Sequence, residues 1–455
     1  MNIAVRATSG IWASRTTFLL ALAASAIGLG NIWRFSYLTA EHGGGAFLLV
    51  YLGCLFLVAV PLLIAEIVIG SQGRANPVSA LSHAARRSGL STTWAILGWL
   101  AGLTAILILA YYCVVAGWGL AYAQKMFTGV FADASAAEVG AEFQALLADP
   151  QQLVQWQTLF IIATFALSAL GIYRGLGLFF WVAGPLLLVA LAVLMRFGLE
   201  QGDMARAGEF LFSVNPQDFT PEAVLVAMGQ AFYTLGIGVG VGMAFGAYAP
   251  DKLPIGRTVV AVAMIDTMLA IAAGLAVFPL VFANNMQPAV GPGLVFVGLP
   301  YAFGNMVQGE LYGSLFFLLV AVVALGSTVA LSEPVVSYLA ERLRLRRPLA
   351  ALAAGFGTWM LALACALSFN MWQDAHFYRD YTLFELLDRL TTQVLIPLVA
   401  LLTALLVGYA MRREVLRVEL YRESRHFFFL WRACLRYIAP PAILVITLAT
   451  FLELA

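Results

Sequence analysis

The chain has 455 residues, of which 62% are hydrophobic and only 11% are charged. Soluble domains carry about 25% charged residues, so this composition predicts a polytopic membrane protein surrounded by a lipid bilayer. The net charge of +1 at pH 7 gives no basic surplus, and no nucleic-acid partner is expected. The cysteines all lie in apolar runs, which indicates buried thiols rather than a disulfide framework.

Eleven stretches are apolar and long enough, at about 20 residues, to cross a bilayer as helices. They lie near residues 14–40, 45–71, 92–124, 154–171, 177–197, 222–248, 257–284, 311–340, 349–370, 384–410 and 427–452. Seventeen of the 25 Lys and Arg residues fall on the side that holds the N-terminus, against five in the opposite loops. Because positively charged loops stay in the cytoplasm, we expect the N-terminus to be cytoplasmic and the C-terminus to lie outside.

The first span is interrupted by polar and flexible residues. Residues 24–34 read Ala-Ser-Ala-Ile-Gly-Leu-Gly-Asn-Ile-Trp-Arg, which places two glycines, an amide and a charge inside one apolar segment. A charge inside the membrane is costly unless it is paired or faces water, and broken backbone is tolerated there only in protein or beside a cavity. The stretch therefore predicts an unwound helix centre that binds a ligand. The alternative is a close helix-packing patch with an interfacial arginine.

The sixth span has the same peculiarity. Its glycines stand at 236, 238, 240 and 242, and glycines two residues apart cannot all serve one packing face of a helix. This pattern also predicts unwound backbone. The amino ends of half-helices in such a gap suit a carboxylate, and the carboxyl ends suit a cation.

Two broken helices, the first and the sixth, indicate a particular architecture. We expect an all-α polytopic membrane protein with eleven transmembrane helices and two inverted five-helix repeats. The repeats cover about 14–197 and 222–410, and an extra helix follows at about 427–452. The whole chain, 1–455, is predicted to form a single transmembrane transporter domain. No feature of the sequence specifies an oligomeric state.

Two acids lie inside predicted spans. Glu66 is placed to accept the free amides of a broken helix. Asp266, together with Asn31 and Thr234, supplies the hard oxygens that an alkali cation prefers. Alternatively, either acid is protonated or hydrogen-bonded across helices. The histidines are scattered and no catalytic motif is present, so we expect neither a histidine metal site nor an enzyme.

One outer loop, 291–305, is apolar for a loop. Two interpretations remain open for it. Either it folds back into the protein as a plug, or it packs on the membrane surface.

Several short motifs stand out along the chain. They read Gly-Leu-Gly-Asn-Ile-Trp-Arg-Phe at 28–35, Glu-His-Gly-Gly-Gly-Ala-Phe at 41–47 and Pro-Leu-Leu-Ile-Ala-Glu at 61–66. With Tyr111-Tyr112 and the glycine-rich sixth span, they resemble the neurotransmitter:sodium symporters, specifically the bacterial amino-acid transporters. The resemblance covers essentially the whole chain. It implies sodium-coupled symport of an amino acid into the cell by alternating access, at the bacterial inner membrane.

The resemblance also implies one or two Na⁺ ions and no organic cofactor. The first sodium site would use Ala26, Asn31, Thr234 and Asp266, together with the substrate carboxylate. The second would use Ala24, Ile27, Val323 and Ser327. The family usually has Thr-Ser where this chain has Gly326-Ser327, so one hydroxyl ligand is missing. Thr328 or a water molecule is the candidate replacement.

Relatives from animals need chloride near the first sodium site, and some bacterial relatives carry an acid there instead. That position is Ala270 in this chain. We therefore expect Asp266 to supply the negative charge, which would make transport chloride-independent and sensitive to protons.

The resemblance indicates the substrate class through Gly28. Amine transporters carry Asp at this position, whereas glycine leaves room for an α-carboxylate with Tyr112 as its hydroxyl donor. We therefore expect a hydrophobic amino acid, aliphatic or aromatic. The substrate-binding residues implied are Ser25, Ala26, Gly28, Leu29, Gly30, Ile108, Tyr112, Tyr233, Thr234, Gly236, Val239, Ser327 and Leu331.

Two gates are implied on either side of this pocket. Arg34 and Asp388 match the outer gate, with Tyr233 as an aromatic lid. The inner gate positions are Trp12, Tyr248 and Glu341, and the usual N-terminal arginine is Ser9 in this chain. A proton-coupled carrier of the same fold is the main alternative. A channel or a non-transporting receptor would explain the spans but not a closed site between paired gates.

Overall fold

The computed structural model describes residues 11–284 and 293–454, and these ranges are helical and contain no strand. The predicted all-α class is confirmed. The helices are α1 (Arg15–Ala26), α2 (Gly30–Glu41), α3 (Gly45–Gly73), α4 (Pro77–Arg87), α5 (Thr92–Phe127), α6 (Ala136–Ala148), α7 (Pro150–Ala169), α8 (Gly175–Gln201), α9 (Met204–Phe212), α10 (Pro221–Thr234), α11 (Val241–Ala247), α12 (Ile255–Ala283), α13 (Leu294–Gly304), α14 (Gly309–Arg342), α15 (Arg347–Leu367), α16 (Leu383–Ala410), α17 (Arg413–Glu419) and α18 (Arg425–Ala449).

Within the described ranges, nine helices are long and apolar enough to cross a membrane: α3, α5, α7, α8, α12, α14, α15, α16 and α18. Helices α1 and α2 meet at an angle of 60° and would form a tenth span as a bent pair. Helices α10 and α11 lie where the sixth span was expected, on either side of residues 235–240. The count of eleven spans, the inverted repeats and the domain limits stay predictions.

The break between α1 and α2 is organised by one side chain. Ile27 leaves the helical conformation, with φ −69° and ψ 110°. The amide of Gly28 then donates to Asn31 Oδ1 at 3.0 Å, and the amide of Asn31 donates to the Gly28 carbonyl at 3.1 Å. Asn31 thus replaces backbone partners that a continuous helix would have supplied. The predicted unwinding of the first span is confirmed.

The break between α10 and α11 depends on glycine. Gly236, Gly238 and Gly240 have φ of 60°, 80° and 75°, a region that residues with a Cβ rarely adopt. A Cβ on Gly238 would also lie 2.9 Å from the carbonyl oxygen of Ile396 in α16. The amide of Gly238 donates to Glu66 Oε1 at 2.8 Å. As predicted, an acid in α3 accepts a free amide of the broken helix.

The apolar loop before α14 folds into the protein. Its helix α13 is largely buried, and Phe296 packs edge-to-face on Trp118 with ring centroids 5.6 Å apart. Of the two interpretations of this loop, the plug is the one that the structure shows. Residues 291 and 292 lie outside the described residues.

The outer surface of α8 is apolar. Leu186, Leu188 and Val189 are 49%, 57% and 61% exposed. Contiguous exposed apolar surface of this kind marks contact with another apolar phase, which for a bundle of spanning helices is the lipid bilayer. The most extensive helix–helix contact lies deep inside, between α5 and α14.

Candidate functional site

A cavity lies between the two helix breaks. Most of the predicted substrate-binding residues line it: Ser25, Ala26, Gly28, Gly30, Ile108, Tyr112, Tyr233, Thr234, Gly236, Val239, Ser327 and Leu331. Leu29 is the exception, since it lines a neighbouring cavity on the predicted outer side. Its amide nevertheless reaches the pocket wall, donating to the Tyr112 hydroxyl at 2.9 Å.

Sequence reasoning missed part of the lining, namely Phe232, Ile237, Val241, Ala330 and Ile396. Most of these residues adjoin positions that were predicted, so their proximity along the chain was a usable signal. Ile396 comes from α16 and reaches the cavity only through tertiary packing. No local sequence pattern could have identified it.

Beside the cavity lies a buried oxygen cluster centred on Asp266. Asn31 Nδ2 donates to Asp266 Oδ1 at 2.7 Å, and Thr234 Oγ1 donates to Asp266 Oδ2 at 2.9 Å. The Tyr51 hydroxyl lies 3.4 Å from the same Oδ2. The carboxylate is fully buried. Asn31 Oδ1 faces away from this carboxylate and accepts from the Gly28 amide, so the cluster combines one carboxylate with hydroxyl oxygens, ligand types that suit a hard monovalent cation.

Next to this cluster, Gly28 leaves a space between two hydroxyl groups. A Cβ at residue 28 would lie 2.7 Å from Ser327 Oγ and 3.0 Å from the Tyr112 oxygen. Because the Tyr112 oxygen already accepts from the Leu29 amide, its own proton is available to a ligand in that space. The space is therefore suited to an anionic oxygen.

The rest of the cavity is apolar. Ile108, Val239 and Leu331 line it, and Gly236 adds no side chain. A group bound there would lose contact with water and gain contact with hydrocarbon, which favours an apolar side chain.

A second cavity of about 320 Å³ lies on the predicted outer side. Arg34 and Asp388 both line it, and Tyr233 lines both cavities and so stands between them. The Arg34 guanidinium lies over the Tyr233 ring, 4.9 Å from its centroid. Among the described residues, no ion pair within 4.0 Å joins Arg34 to Asp388. The predicted outer gate residues thus surround one vestibule without closing it.

The predicted inner side is held together by buried contacts. The Trp12 amide donates to the Tyr248 carbonyl at 3.1 Å, and Trp12 Nε1 donates to the Phe245 carbonyl at 3.3 Å. The Tyr248 hydroxyl donates to Glu333 Oε1 at 3.0 Å. Arg347 Nη1 donates to the same oxygen at 2.9 Å. The start of the chain is thereby connected through α11 to a buried ion pair between α14 and α15.

Glu341, the third predicted inner-gate residue, forms its hydrogen bonds at the start of α4 rather than with Tyr248. Its carboxylate accepts from Asn76 Nδ2 at 2.6 Å and from the Asn76 amide at 3.0 Å. The acid that meets Tyr248 is Glu333, which sequence reasoning did not single out. Its signal was an acid inside an apolar segment, eight residues before Glu341. Ser9 lies outside the described residues.

The residues implied for a second sodium site lie around a third cavity. Ala24, Ile27 and Val323 line it together with Gly326, between α1, α8 and α14. Ser327 lies on the other side, lining the central cavity, and its Oγ donates to the Ile27 carbonyl at 3.2 Å.

Two broken helices around a central cavity, with polar groups above and below it, define a secondary transporter. The chain belongs to the sodium:neurotransmitter symporter family, whose model matches residues 9–142 and 140–455. It is therefore a membrane symporter of a sodium-dependent class and not an enzyme. The family resemblance of the motifs is confirmed.

Relatives of this chain carry sodium-dependent transporter names. An uncharacterized sodium-dependent transporter of Bacillus subtilis, YhdH, is 32% identical over 440 residues, covering 96% of each chain. One from Haemophilus influenzae is 28% identical over 443 residues, again covering 96% of each. The crystal structure of MhsT in complex with L-phenylalanine has a TM-score of 0.88 and 36% identity, covering 97% of this chain and 99% of that one.

Proposed function

We propose that this protein carries a hydrophobic amino acid into the cell together with Na⁺, without a need for chloride. The observation that carries the proposal is the arrangement around Gly28, where the Tyr112 and Ser327 hydroxyls line one cavity with apolar side chains, beside the Asp266 cluster. An amino acid has the matching parts, since its carboxylate and its side chain diverge from one carbon. A sodium ion at the cluster would supply positive charge to meet the carboxylate.

The side-chain end of the pocket supports an aliphatic or aromatic substrate. No charged side chain is among the described residues that line the cavity. A polar substrate side chain would be desolvated there without a partner, at a cost of about 1–3 kcal/mol. L-Phenylalanine, the ligand in the MhsT complex, has the chemistry that this pocket would accept.

The environment of Asp266 supports transport that does not require chloride. Ala270, where an acid stands in some bacterial relatives, is buried and uncharged. Asp266 receives hydrogen bonds from Asn31 and Thr234, so its carboxylate already places one negative charge at the cluster. A second anion would have to be buried within the same cluster, which is unfavourable.

Alternating access follows from the two sides of the cavity. On the outer side, the Tyr233 ring separates the site from the vestibule, and Arg34 and Asp388 stand apart. On the inner side, Trp12 and Tyr248 are buried and hydrogen-bonded. We propose that substrate enters past Tyr233, that Arg34 and Asp388 then approach, and that release requires the Trp12 contacts to open.

The uptake of labelled leucine and tryptophan into proteoliposomes tests this proposal. We expect a sodium gradient to drive uptake of at least one of them, with equal rates in chloride and in gluconate. A vesicle without protein and a sodium-free gradient are the controls. Absence of uptake for all twenty amino acids under sodium and proton gradients would contradict transport, and loss of uptake in chloride-free buffer would contradict the role of Asp266.

Asp266→Asn is the companion variant, because it removes the charge and keeps an oxygen. We expect weaker sodium binding and partial recovery of uptake when chloride is added. Unchanged sodium dependence would mean that Asp266 does not ligate the ion.

A proton-coupled carrier is the second candidate, and it rests on the same residue. The buried Asp266 carboxylate has hydrogen-bonding partners on three other helices or segments, so it could exchange a proton with a ligand. Uptake driven by a proton gradient in sodium-free buffer would favour this candidate.

We also place the protein in a bacterial inner membrane, with the N-terminus in the cytoplasm and the C-terminus outside. The distribution of Lys and Arg supports this orientation. Labelling of single cysteines placed near each end, in intact and in permeabilised cells, tests it.

A further inference from the structure

The family implies a second sodium ion where α1 meets α14, and the residues present there do not fit one. A Cβ built on Gly326 would lie only 3.0 Å from the carbonyl oxygen of Ala24. Ordinary carbon–oxygen contacts are longer, so α14 approaches α1 closely at the position where residue 326 has no side chain. Residue 326, from which a hydroxyl ligand would come, offers none.

One hydroxyl remains, that of Ser327. Ser327 Oγ donates its proton to the Ile27 carbonyl at 3.2 Å, which links two of the groups that would have to surround an ion. The same serine lines the substrate cavity rather than the cavity that Ala24 and Val323 line.

Thr328 does not replace the missing ligand. Its hydroxyl lies 3.0 Å from Thr164 Oγ1 in α7 and 3.2 Å from the Leu325 carbonyl. The side chain is fully buried and faces α7, on the far side of α14 from α1.

The surroundings are apolar as well. The cavity of about 220 Å³ at this position is lined by side chains such as Leu20, Phe180 and Pro185, and no acid is among its described lining residues. A bridging water molecule needs two to four polar partners, and a buried cation needs a counter-charge or a full oxygen shell. The Asp266 cluster provides a carboxylate, whereas this site provides carbonyl oxygens and one hydroxyl.

We infer that this chain binds a single sodium ion, at Asp266, and that the Ser327–Ile27 hydrogen bond and the close approach at Gly326 join α1 to α14 without a second ion. The inference rests on the proposed sodium-coupled function. It predicts that each substrate molecule moves with one sodium ion.

Direct counting of bound ions tests the inference. Equilibrium binding of ²²Na⁺ to the purified full chain in lipid nanodiscs is expected to saturate at one ion per chain, without cooperativity. Saturation at two ions per chain would overturn the inference. Absence of any sodium binding would instead contradict the proposed function, so the two failures are distinguishable.

The energetics of accumulation give an independent measurement. At zero membrane potential, a tenfold sodium gradient sustains about a tenfold substrate gradient with one coupled ion and about a hundredfold gradient with two. We expect the smaller ratio in proteoliposomes, and the larger one would overturn the inference.

A matched pair of variants tests whether the missing hydroxyl is the reason that a second sodium ion does not bind. Gly326→Ser and Gly326→Ala add the same Cβ, and only the serine adds an oxygen. We expect two bound ions for the serine variant and one for the alanine variant. One ion in both would overturn the assignment to the hydroxyl, while the count for the wild-type chain does not depend on either variant folding.

Discussion

The two interrupted helices are held open in different ways. At the first break, the chain uses its own side chain, because Asn31 accepts the Gly28 amide three residues earlier. At the second break, glycines take left-handed conformations, and Gly238 is held by Glu66 from α3. The first arrangement turns polar atoms toward the cavity and the Asp266 cluster. The second needs backbone freedom and a partner from outside.

This difference predicts that the two helix breaks have separate roles. Changes at the first break should act on ligand and ion binding. Changes at Gly238 and at its partner Glu66 in the second break should act mainly on the stability of the fold. Each of the following variants tests that separation of roles.

Among these variants, Gly28→Ala should have the largest effect, and the effect is on substrate affinity. The added methyl group would lie 2.7 Å from Ser327 Oγ and fill the space proposed for the carboxylate. We expect substrate affinity to fall by about a hundredfold, the equivalent of losing about 3 kcal/mol of charge-assisted hydrogen bonding. Displacement of labelled substrate measures it. Gly102→Ala is the matched control, because a Cβ there meets nothing within 4 Å. Equal affinity in both variants would contradict a carboxylate site at Gly28.

Asn31→Ala should weaken sodium binding by about thirtyfold. Loss of the Asn31 side chain leaves the buried Asp266 carboxylate without one hydrogen-bond donor, which costs about 2 kcal/mol. The variant removes a donor to Asp266 and the acceptor for the Gly28 amide. Titration with ²²Na⁺ measures the affinity. Asn305→Ala, an exposed amide in an outer loop, serves as the control. An unchanged sodium affinity in the Asn31→Ala variant would show that the first break does not contribute to ion binding.

Gly238→Ala should act on stability instead. Its φ of 80° costs an alanine about 1–2 kcal/mol, and the Cβ would press on the Ile396 carbonyl. We expect a lower melting temperature and an unchanged sodium affinity in the protein that remains folded. Gly229→Ala in α10, where a Cβ meets nothing within 4 Å, is the control. A fall in sodium affinity without a loss of stability would show that the second break also shapes the ion site.

Glu66→Gln should have the smallest effect, about 1 kcal/mol or less, because the amide oxygen can still accept from Gly238. Thermal unfolding in detergent measures the change. Glu66→Leu removes the acceptor and leaves the Gly238 amide unsatisfied, so it should destabilise the protein more. If the glutamine and leucine variants were equally stable, the Glu66–Gly238 hydrogen bond would not be what holds the second break.

Local features of the sequence predicted much of this arrangement. Clustered glycines and an amide side chain within an apolar segment predict a broken helix, because several residues that disfavour a continuous membrane helix occur close together. Asp266 was detectable for a similar reason, as a charge within an apolar span. In the structure these groups lie around or beside one cavity, and their roles in binding stay predictions.

Other parts depend on packing that no local pattern encodes. Tyr248 meets Glu333 rather than Glu341, a choice set by how α11 lies against α14. Ile396 lines the pocket, and its carbonyl lies close to the Gly238 backbone. Both contacts join residues that are far apart along the chain. Sequence spacing within one helix carries no information about them.

The position of Tyr233 has a consequence for pharmacology. Its ring forms a wall of both the central cavity and the vestibule that Arg34 and Asp388 line, and a Cβ on Gly30 would lie only 2.8 Å from it. The ring therefore has little room to move aside on the side of α2. A molecule that fills the pocket and also extends into the vestibule would keep the ring from returning to its place. Such oversized amino-acid analogues should behave as competitive blockers rather than as cargo.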